Sequence, residues 1–158
     1  MVEHDTAYVS YLELGLRLLC AAVAGAIMGL DRELRERRVG MRTYMIVALG
    51  SAGFTLITME LSLEALQFEM GSDPTRIMQG LVGAIGFLGA GAIIQGKQSV
   101  GGMATAASLW VAGAVGMASG LGYYVHALML SVIAAGILAL SHVMDKRGSA
   151  DRPDLDGE

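Results

Sequence analysis

The chain has 158 residues, of which 54% are hydrophobic and 16% charged, and its formal net charge is −4. Soluble domains carry about 25% charged residues, so this composition excludes an ordinary soluble domain and indicates a membrane protein. The single cysteine, Cys20, excludes an intrachain disulfide. We therefore expect a lipid bilayer, and no nucleic acid, around this chain.

Five apolar segments follow one another, each close to the roughly 20 residues that a helix needs to cross a bilayer. They are Tyr8–Leu30, Met41–Met59, Arg76–Gln95, Met103–Gly120 and Tyr123–Met144. The alternation with period two that membrane β-barrels require is absent from the sequence. The sequence predicts an all-α integral membrane protein in which residues 1–147 form a compact bundle of five transmembrane helices.

The segment between the first two spans, Asp31–Arg38, is the most highly charged stretch of the chain. Clustered arginines beside membrane spans stay in the cytoplasm. This rule predicts an N-terminus outside the cell and a cytoplasmic C-terminus. The residues that we assign to the cytoplasmic charged loop are Asp31, Arg32, Glu33 and Arg42.

The other connections agree with this orientation. Glu60–Thr75 carries acidic residues but no lysine, and Gly96–Gly102, on the opposite side, carries Lys97. Within the first of these, Glu60–Gly71 has one apolar and one polar face, which predicts a short helix along the outer interface. The acidic tail, residues 148–158, is predicted to be disordered.

Small residues recur at helical spacing inside the spans, where they let membrane helices approach closely. We interpret them as packing positions of a tight bundle, with thin helices bordering an ion path as the alternative. Trp110 is likewise predicted to pack rather than to anchor the protein at the interface. The small residues are Gly25 and Gly29 in the first span, Gly83, Gly86 and Gly89 in the third, and Ser108, Ala112 and Gly116 in the fourth.

Arg17 lies inside the first predicted span, on the order of 13 Å deep at the helical rise per residue. A cation at that depth costs about 2.5–3.5 kcal/mol on insertion scales unless it pairs or reaches water. Glu13 precedes it by one helical turn, in the favourable order for an ion pair. Two interpretations stay open: a structural pair that reaches outward, or a functional charge within the bundle.

Asp73 opens the third span and is followed by Pro74, an order typical of a helix N-cap and first helical position. We favour this capping role. Asp73 is also a weak candidate for a magnesium ligand, since that ion needs only one or two carboxylates. Together with Glu13, Arg17 and Arg76, it is expected to form a polar cluster near the outer surface.

The sequence offers no catalytic set. It contains no Ser-His-Asp arrangement, zinc-ligand spacing or phosphate-binding loop. We therefore expect neither an enzyme nor a bound cofactor, and we assign no metal site beyond the weak candidate Asp73.

Five stretches, taken in order, resemble the MgtC/SapB family of bacterial inner-membrane proteins. They are Gly29–Glu33, Gly40–Thr43, Asp73–Ile77, Gly83–Gly91 and Thr105–Trp110. The resemblance covers roughly Leu12 to Gly122. The five-span topology of the family agrees with the one predicted above from charge. One departure is Ala104, which stands where the family usually has threonine.

The resemblance implies a membrane factor for adaptation to low magnesium and, in pathogens, for survival inside macrophages. It also implies contact with the F-type ATP synthase through membrane segments. Many members carry a soluble C-terminal domain that resembles ACT folds. We expect this chain to be a short form without that domain.

Two classes of function remain open at this point. In the first, the protein is a regulatory factor whose small-residue faces bind a second copy, most simply as a dimer, or another membrane protein. The faces predicted for self-association are Gly25 with Gly29, or Ser108 with Ala112 and Gly116. In the second, the chain is a transporter or channel for magnesium or another cation that works as an oligomer.

Overall fold

The computed structural model describes residues 9–35, 39–68, 73–95 and 100–150, with the backbone alone at 94, 95, 100 and 141–150. Five helices follow in order: α1 Tyr11–Leu34, α2 Met41–Gln67, α3 Pro74–Gly91, α4 Met103–Gly120 and α5 Tyr124–Ala150. Between α3 and α4 lies an antiparallel hairpin of two short strands, β1 Ile94–Gln95 and β2 Val100–Gly101. The predicted all-α bundle of five helices is confirmed.

Several predicted bounds need correction. α1 continues one turn beyond Leu30, so much of the predicted charged loop is helical. The interfacial helix predicted over Glu60–Gly71 is wrong as a separate element, because α2 runs unbroken to Gln67. α3 ends at Gly91, four residues before the predicted end of the third span, because the hairpin begins there.

Parts of other predictions lie outside the described residues. They are the start of the first span at Tyr8, residues 36–38 of the charged loop, residues 69–71 of the predicted interfacial helix, residues 96–99 of the connection that carries Lys97, and residues 151–158 of the acidic tail. The first three residues of that predicted tail, 148–150, are helical, because α5 extends to Ala150.

Local sequence explains where the helices begin. Ser10 caps α1, because its hydroxyl accepts a hydrogen bond from the Glu13 amide at 3.3 Å. Gly102 and Gly122 have positive φ angles of 88° and 80°, and they form the turns that precede α4 and α5. This left-handed conformation favours glycine, which has no Cβ.

α1, α2 and α4 form the centre of the bundle, since each packs against the other two. α5 packs against α1 and α4, whereas α3 lies mainly on α4 with a minor contact to α2. The core that these helices share contains few large side chains, and the largest fully buried ones are Tyr44, Met28 and Leu109. Because most buried residues are small, the helix backbones lie close together.

Helices α1, α2 and α4 are long and apolar enough to cross a membrane, and the apolar part of α5, Tyr124–Leu140, is a shorter segment of the same kind. The outer surface of the bundle is also apolar. Val125, Leu128 and Ile137 on α5, for example, are all more than half exposed. Soluble proteins rarely leave so large an apolar surface in water, so this chain is a membrane protein.

The predicted orientation can be tested by cysteine labelling. In a Cys20→Ser background, we expect Glu64→Cys to react with a membrane-impermeant maleimide in intact cells. Arg35→Cys should react only after permeabilisation, because clustered arginines beside membrane spans favour the cytoplasmic side. Both positions are exposed in the bundle. The reverse labelling pattern would contradict an N-terminus outside the cell.

Candidate functional site

Two polar clusters lie at opposite ends of α1. The Arg17 cluster consists of Glu13, Arg17, Tyr124 and the backbone carbonyl of Gly120. The Arg17 guanidinium donates from Nε to the Glu13 carboxylate at 3.0 Å and from Nη1 to the Gly120 carbonyl at 2.9 Å. The Tyr124 hydroxyl donates to the same Glu13 oxygen at 2.6 Å. These bonds join the start of α1 to the turn between α4 and α5.

The Arg17 cluster differs from the polar cluster predicted from sequence. Glu13 and Arg17 do pair, but Tyr124 was not predicted, because no local spacing connects it to Glu13. Asp73 accepts hydrogen bonds from the Thr75 amide at 3.0 Å and the Thr75 hydroxyl at 2.6 Å. It therefore caps α3 as expected, and Arg76 lies exposed in the following turn.

The capping role of Asp73 predicts a modest and specific effect on stability. Asp73→Ala removes the acceptor for the Thr75 amide and should cost about 1 kcal/mol. Asp73→Asn keeps a capping oxygen and should stay within a few tenths of a kcal/mol of the wild type. Thermal unfolding in detergent measures both. If Asn destabilises the protein as much as Ala, the charge rather than the cap is what matters.

The Arg32 cluster consists of Arg32, Tyr44, Thr105 and Ser108, at the other end of α1. Arg32 is only 9% exposed and lies in the last turn of the helix rather than in a loop, which corrects the prediction. Its Nε donates to the Val39 carbonyl at 3.3 Å, and its Nη2 donates to the Thr105 hydroxyl. The guanidinium carbon also lies 5.9 Å from the centroid of the Tyr44 ring, in cation–π range.

Hydrogen bonds continue from Arg32 into the core. The Tyr44 and Ser108 hydroxyls are bonded to each other, and the Ser108 hydroxyl also contacts the Thr105 carbonyl at 2.9 Å. Tyr44 is fully buried. Because a buried hydroxyl requires a partner, this chain of bonds fixes the relative position of α1, α2 and α4 at this end of the bundle.

The other residues of the predicted charged loop have separate structural roles. Asp31 and Glu33 lie with Arg32 in the last turn of α1. Asp31 pairs with Arg35 at 2.6 Å, and Glu33 accepts a hydrogen bond from the Met41 amide at 2.9 Å, which caps α2. Arg42 lies exposed in the first turn of α2.

Glycines bring α2 close to two neighbouring helices. A Cβ on Gly25 would lie 2.7 Å from the Tyr44 carbonyl oxygen, and a Cβ on Gly116 would lie 2.6 Å from the Ser51 Cβ. Gly29 meets the backbone of Met41 in the same way. These glycines therefore pack against α2 within the protomer. Ser108 and Ala112 are buried in the same bundle. The faces predicted for self-association are therefore packed inside the protomer, and binding of a second copy stays a prediction.

The remaining predicted packing residues divide into two groups. Gly89 is buried against α4, where a Cβ would lie 3.2 Å from the Ala106 carbonyl oxygen. Gly83 and Gly86 are open, because a Cβ on either would meet no heavy atom within 4 Å. Trp110 is 50% exposed on the surface of α4, so only part of its side chain has the packing role predicted for it.

Neither cluster has the composition of a metal centre. Within the described part of the chain, no group of three or more His, Cys, Asp or Glu residues could hold a metal ion. What both clusters share is an arginine at one end of α1 that joins this helix to α4 or to the turn that follows it.

Comparison with known proteins places the chain in a family. The model of the MgtC family matches residues 18–147. YhiD of Escherichia coli K12, provisionally named a magnesium transporter, is 35% identical over 133 residues, which cover 84% of this chain and 62% of YhiD. Protein MgtC of Salmonella typhimurium is 40% identical over 118 residues, covering 75% and 48%.

Protein SrpB of Synechococcus elongatus is 37% identical over 122 residues, which cover 72% of this chain and 66% of SrpB. The chain thus spans about half to two thirds of the length of these curated relatives. No solved structure matches it. Because the family model covers most of the sequence and several relatives exceed 30% identity, the chain belongs to the MgtC family.

Proposed function

We propose that this protein is a non-enzymatic factor of magnesium homeostasis in the bacterial inner membrane, and that it acts by helix–helix contact with other membrane proteins. The observation that carries the proposal is the match to the MgtC family over residues 18–147. The provisional name of YhiD, which is 35% identical, connects this family to magnesium.

The loose packing of α3 supports contact with a partner. In this helix of 18 residues, only Ile85 and Gly89 are buried. A Cβ at Gly80, Gly83 or Gly86 would meet open space. Membrane helices associate through small residues that allow close backbone approach, so these open positions favour a neighbouring helix from another chain.

A shallow apolar groove between α2 and α3 adjoins these open positions, since Gly80 is one of its lining residues. Its volume is about 320 Å³, and it is lined by Phe54, Ile77, Gly80, Leu81 and Ala84. Next to it, the Phe87 side chain is 84% exposed. The groove and this side chain together offer a recess and a protrusion on one helix surface.

Growth of a deletion strain in low magnesium tests the proposal. We expect Gly83→Leu and Gly86→Leu to abolish complementation at normal membrane abundance, because a large side chain separates the two backbones. Gly136→Leu on α5 is the matched control, since that glycine also has no heavy atom within 4 Å. Full complementation by both α3 variants would contradict a function of this surface.

The F-type ATP synthase is the partner that the family resemblance implies, and a second copy of this chain is the other candidate. A photo-crosslinking amino acid at position 87 identifies which of them contacts α3. We expect a cross-link to one of these two, with loss of that cross-link in Gly83→Leu. Cross-linking to lipid alone would contradict the proposed helix–helix mechanism.

Ion transport is the second candidate, favoured by the provisional name of YhiD. The packing between α2 and α4 supports the first proposal more strongly. A Cβ on Gly116 would lie 2.6 Å from the Ser51 Cβ, and a Cβ on Gly120 would lie 2.9 Å from the Thr55 Cβ, so α2 and α4 are in close contact without the space that a hydrated cation needs. Magnesium flux into proteoliposomes above that of protein-free liposomes would favour transport instead.

A further inference from the structure

A groove runs along α1 from the Arg17 cluster into the apolar surface of the bundle. Its volume is about 420 Å³. The polar end of the groove lies where two helices begin, since Glu13 is in the first turn of α1 and Tyr124 is the first residue of α5. The rest of the groove is apolar. The lining residues are Glu13, Leu16, Leu19, Cys20 and Val23 of α1 and Tyr124 of α5.

The length of the groove matches one leaflet of a bilayer. Between Glu13 and Val23, α1 rises on the order of 15 Å. The hydrocarbon core of a bilayer is roughly 30 Å thick, so this rise is about half of it. Leu16, Leu19 and Val23 are about half exposed, and no other helix of the described chain covers them. A groove that begins at a helix end and continues to this depth fits an acyl chain whose headgroup lies at the membrane surface.

The polar end presents a carboxylate and an aromatic ring to an occupant. Arg17 and Tyr124 both donate to Oε1 of Glu13, so Oε2 accepts no hydrogen bond from the described residues. Arg17 offsets the charge of Glu13, but it does not line the groove, and its Nη1 donates to the Gly120 carbonyl. The Glu13 side chain is 35% exposed. A carboxylate oxygen beside a tyrosine ring is complementary to a cation that donates hydrogen bonds.

We propose that this groove binds a phospholipid with a primary ammonium headgroup, phosphatidylethanolamine. Its ammonium group donates to Glu13 beside the Tyr124 ring, and one acyl chain lies along Leu16, Leu19 and Val23. A choline headgroup has no N–H to donate, and the carboxylate repels a headgroup with a net negative charge. The site goes beyond the proposed function, and it is independent of the α3 surface because it lies on α1 and α5.

Native mass spectrometry of the delipidated full chain in detergent tests this site. The protein is titrated separately with phosphatidylethanolamine, phosphatidylcholine and phosphatidylglycerol that carry identical acyl chains. We expect one phosphatidylethanolamine molecule to bind about tenfold more tightly than either other lipid, because only its headgroup donates a charge-assisted hydrogen bond to the carboxylate. Equal affinities, or a preference for either of the other two lipids, would overturn the proposal.

A substitution at the polar end connects the preference to Glu13. Glu13→Gln keeps the size of the side chain and removes its charge, so the affinities for phosphatidylethanolamine and phosphatidylcholine should become nearly equal. Glu64→Gln is the matched control, because it removes an exposed carboxylate near the end of α2, outside the groove. This variant should keep the preference of the wild type. A wild-type preference in Glu13→Gln would also overturn the proposal.

A substitution in the apolar part tests the position of the acyl chain. Val23→Phe fills the groove with a larger side chain and should weaken phosphatidylethanolamine binding several-fold. Val132→Phe on α5 is the matched control, since Val23 and Val132 are 52% and 54% exposed and only Val23 lines the groove. If Glu13→Gln does not fold, Val23→Phe decides. Binding by Val23→Phe that equals that of Val132→Phe would show that the lipid does not occupy this groove.

Discussion

Gly116→Leu is expected to prevent the bundle from folding. A Cβ at this position would lie 2.6 Å from the Ser51 Cβ and would also overlap the Ala48 carbonyl oxygen, so even alanine collides with the backbone of α2. Overpacking of this kind costs about 1–3 kcal/mol for Gly116→Ala, and the larger leucine should leave little folded protein. Yield after size-exclusion chromatography in detergent and the unfolding temperature measure both variants.

The control for this prediction is Gly136→Leu, which adds the same side chain where a Cβ meets no heavy atom within 4 Å. We expect its yield and unfolding temperature to match those of the wild type. A monodisperse Gly116→Leu protein with a wild-type melting curve would show that α2 and α4 do not meet as described.

Hydropathy and length predicted the helices well because a bilayer imposes both. The fourth span was predicted as Met103–Gly120, the bounds that α4 has. The end of α1 was missed, since charged residues normally leave the bilayer. Here they stay helical because Arg32 bonds to the start of α4 and Glu33 caps α2. Such tertiary contacts leave no trace in local hydropathy.

The sequence pattern identified one partner in the Arg17 cluster and none in the Arg32 cluster. The ion pair between Glu13 and Arg17 could be predicted because a spacing of four residues places two side chains next to each other on one helix. Tyr124 lies 111 positions from Glu13, and Ser108 lies 64 positions from Tyr44. Contacts at that separation depend on how helices pack, which a single sequence does not encode in its spacing.

The glycines illustrate the same limit. Their spacing indicated close helix packing, and Gly25 and Gly116 do allow it. The pattern alone did not distinguish contacts within one protomer from contacts between two. That distinction required the position of α2, whose backbone lies against both residues.

Arg17→Leu should destabilise the bundle by about 1.5–3 kcal/mol, because it removes a charge-assisted hydrogen bond to the Gly120 carbonyl. The Arg17 side chain is 11% exposed, so water replaces this bond poorly. Arg17→Lys keeps the charge but cannot donate to Glu13 and Gly120 through one planar fork, and its effect should be intermediate. Thermal unfolding in detergent measures all three proteins.

Glu13→Gln provides the comparison within the same cluster. The Glu13 side chain is 35% exposed, so solvent screening weakens its ion pair, and we expect a smaller loss of stability than for Arg17→Leu.

Growth in low magnesium then separates the two interpretations of Arg17. If the growth defects of these variants increase in proportion to their loss of stability, the role of Arg17 is structural, namely to hold α1 against the α4–α5 turn. A growth defect of Arg17→Lys with near-normal stability and abundance indicates that the guanidinium itself takes part in function.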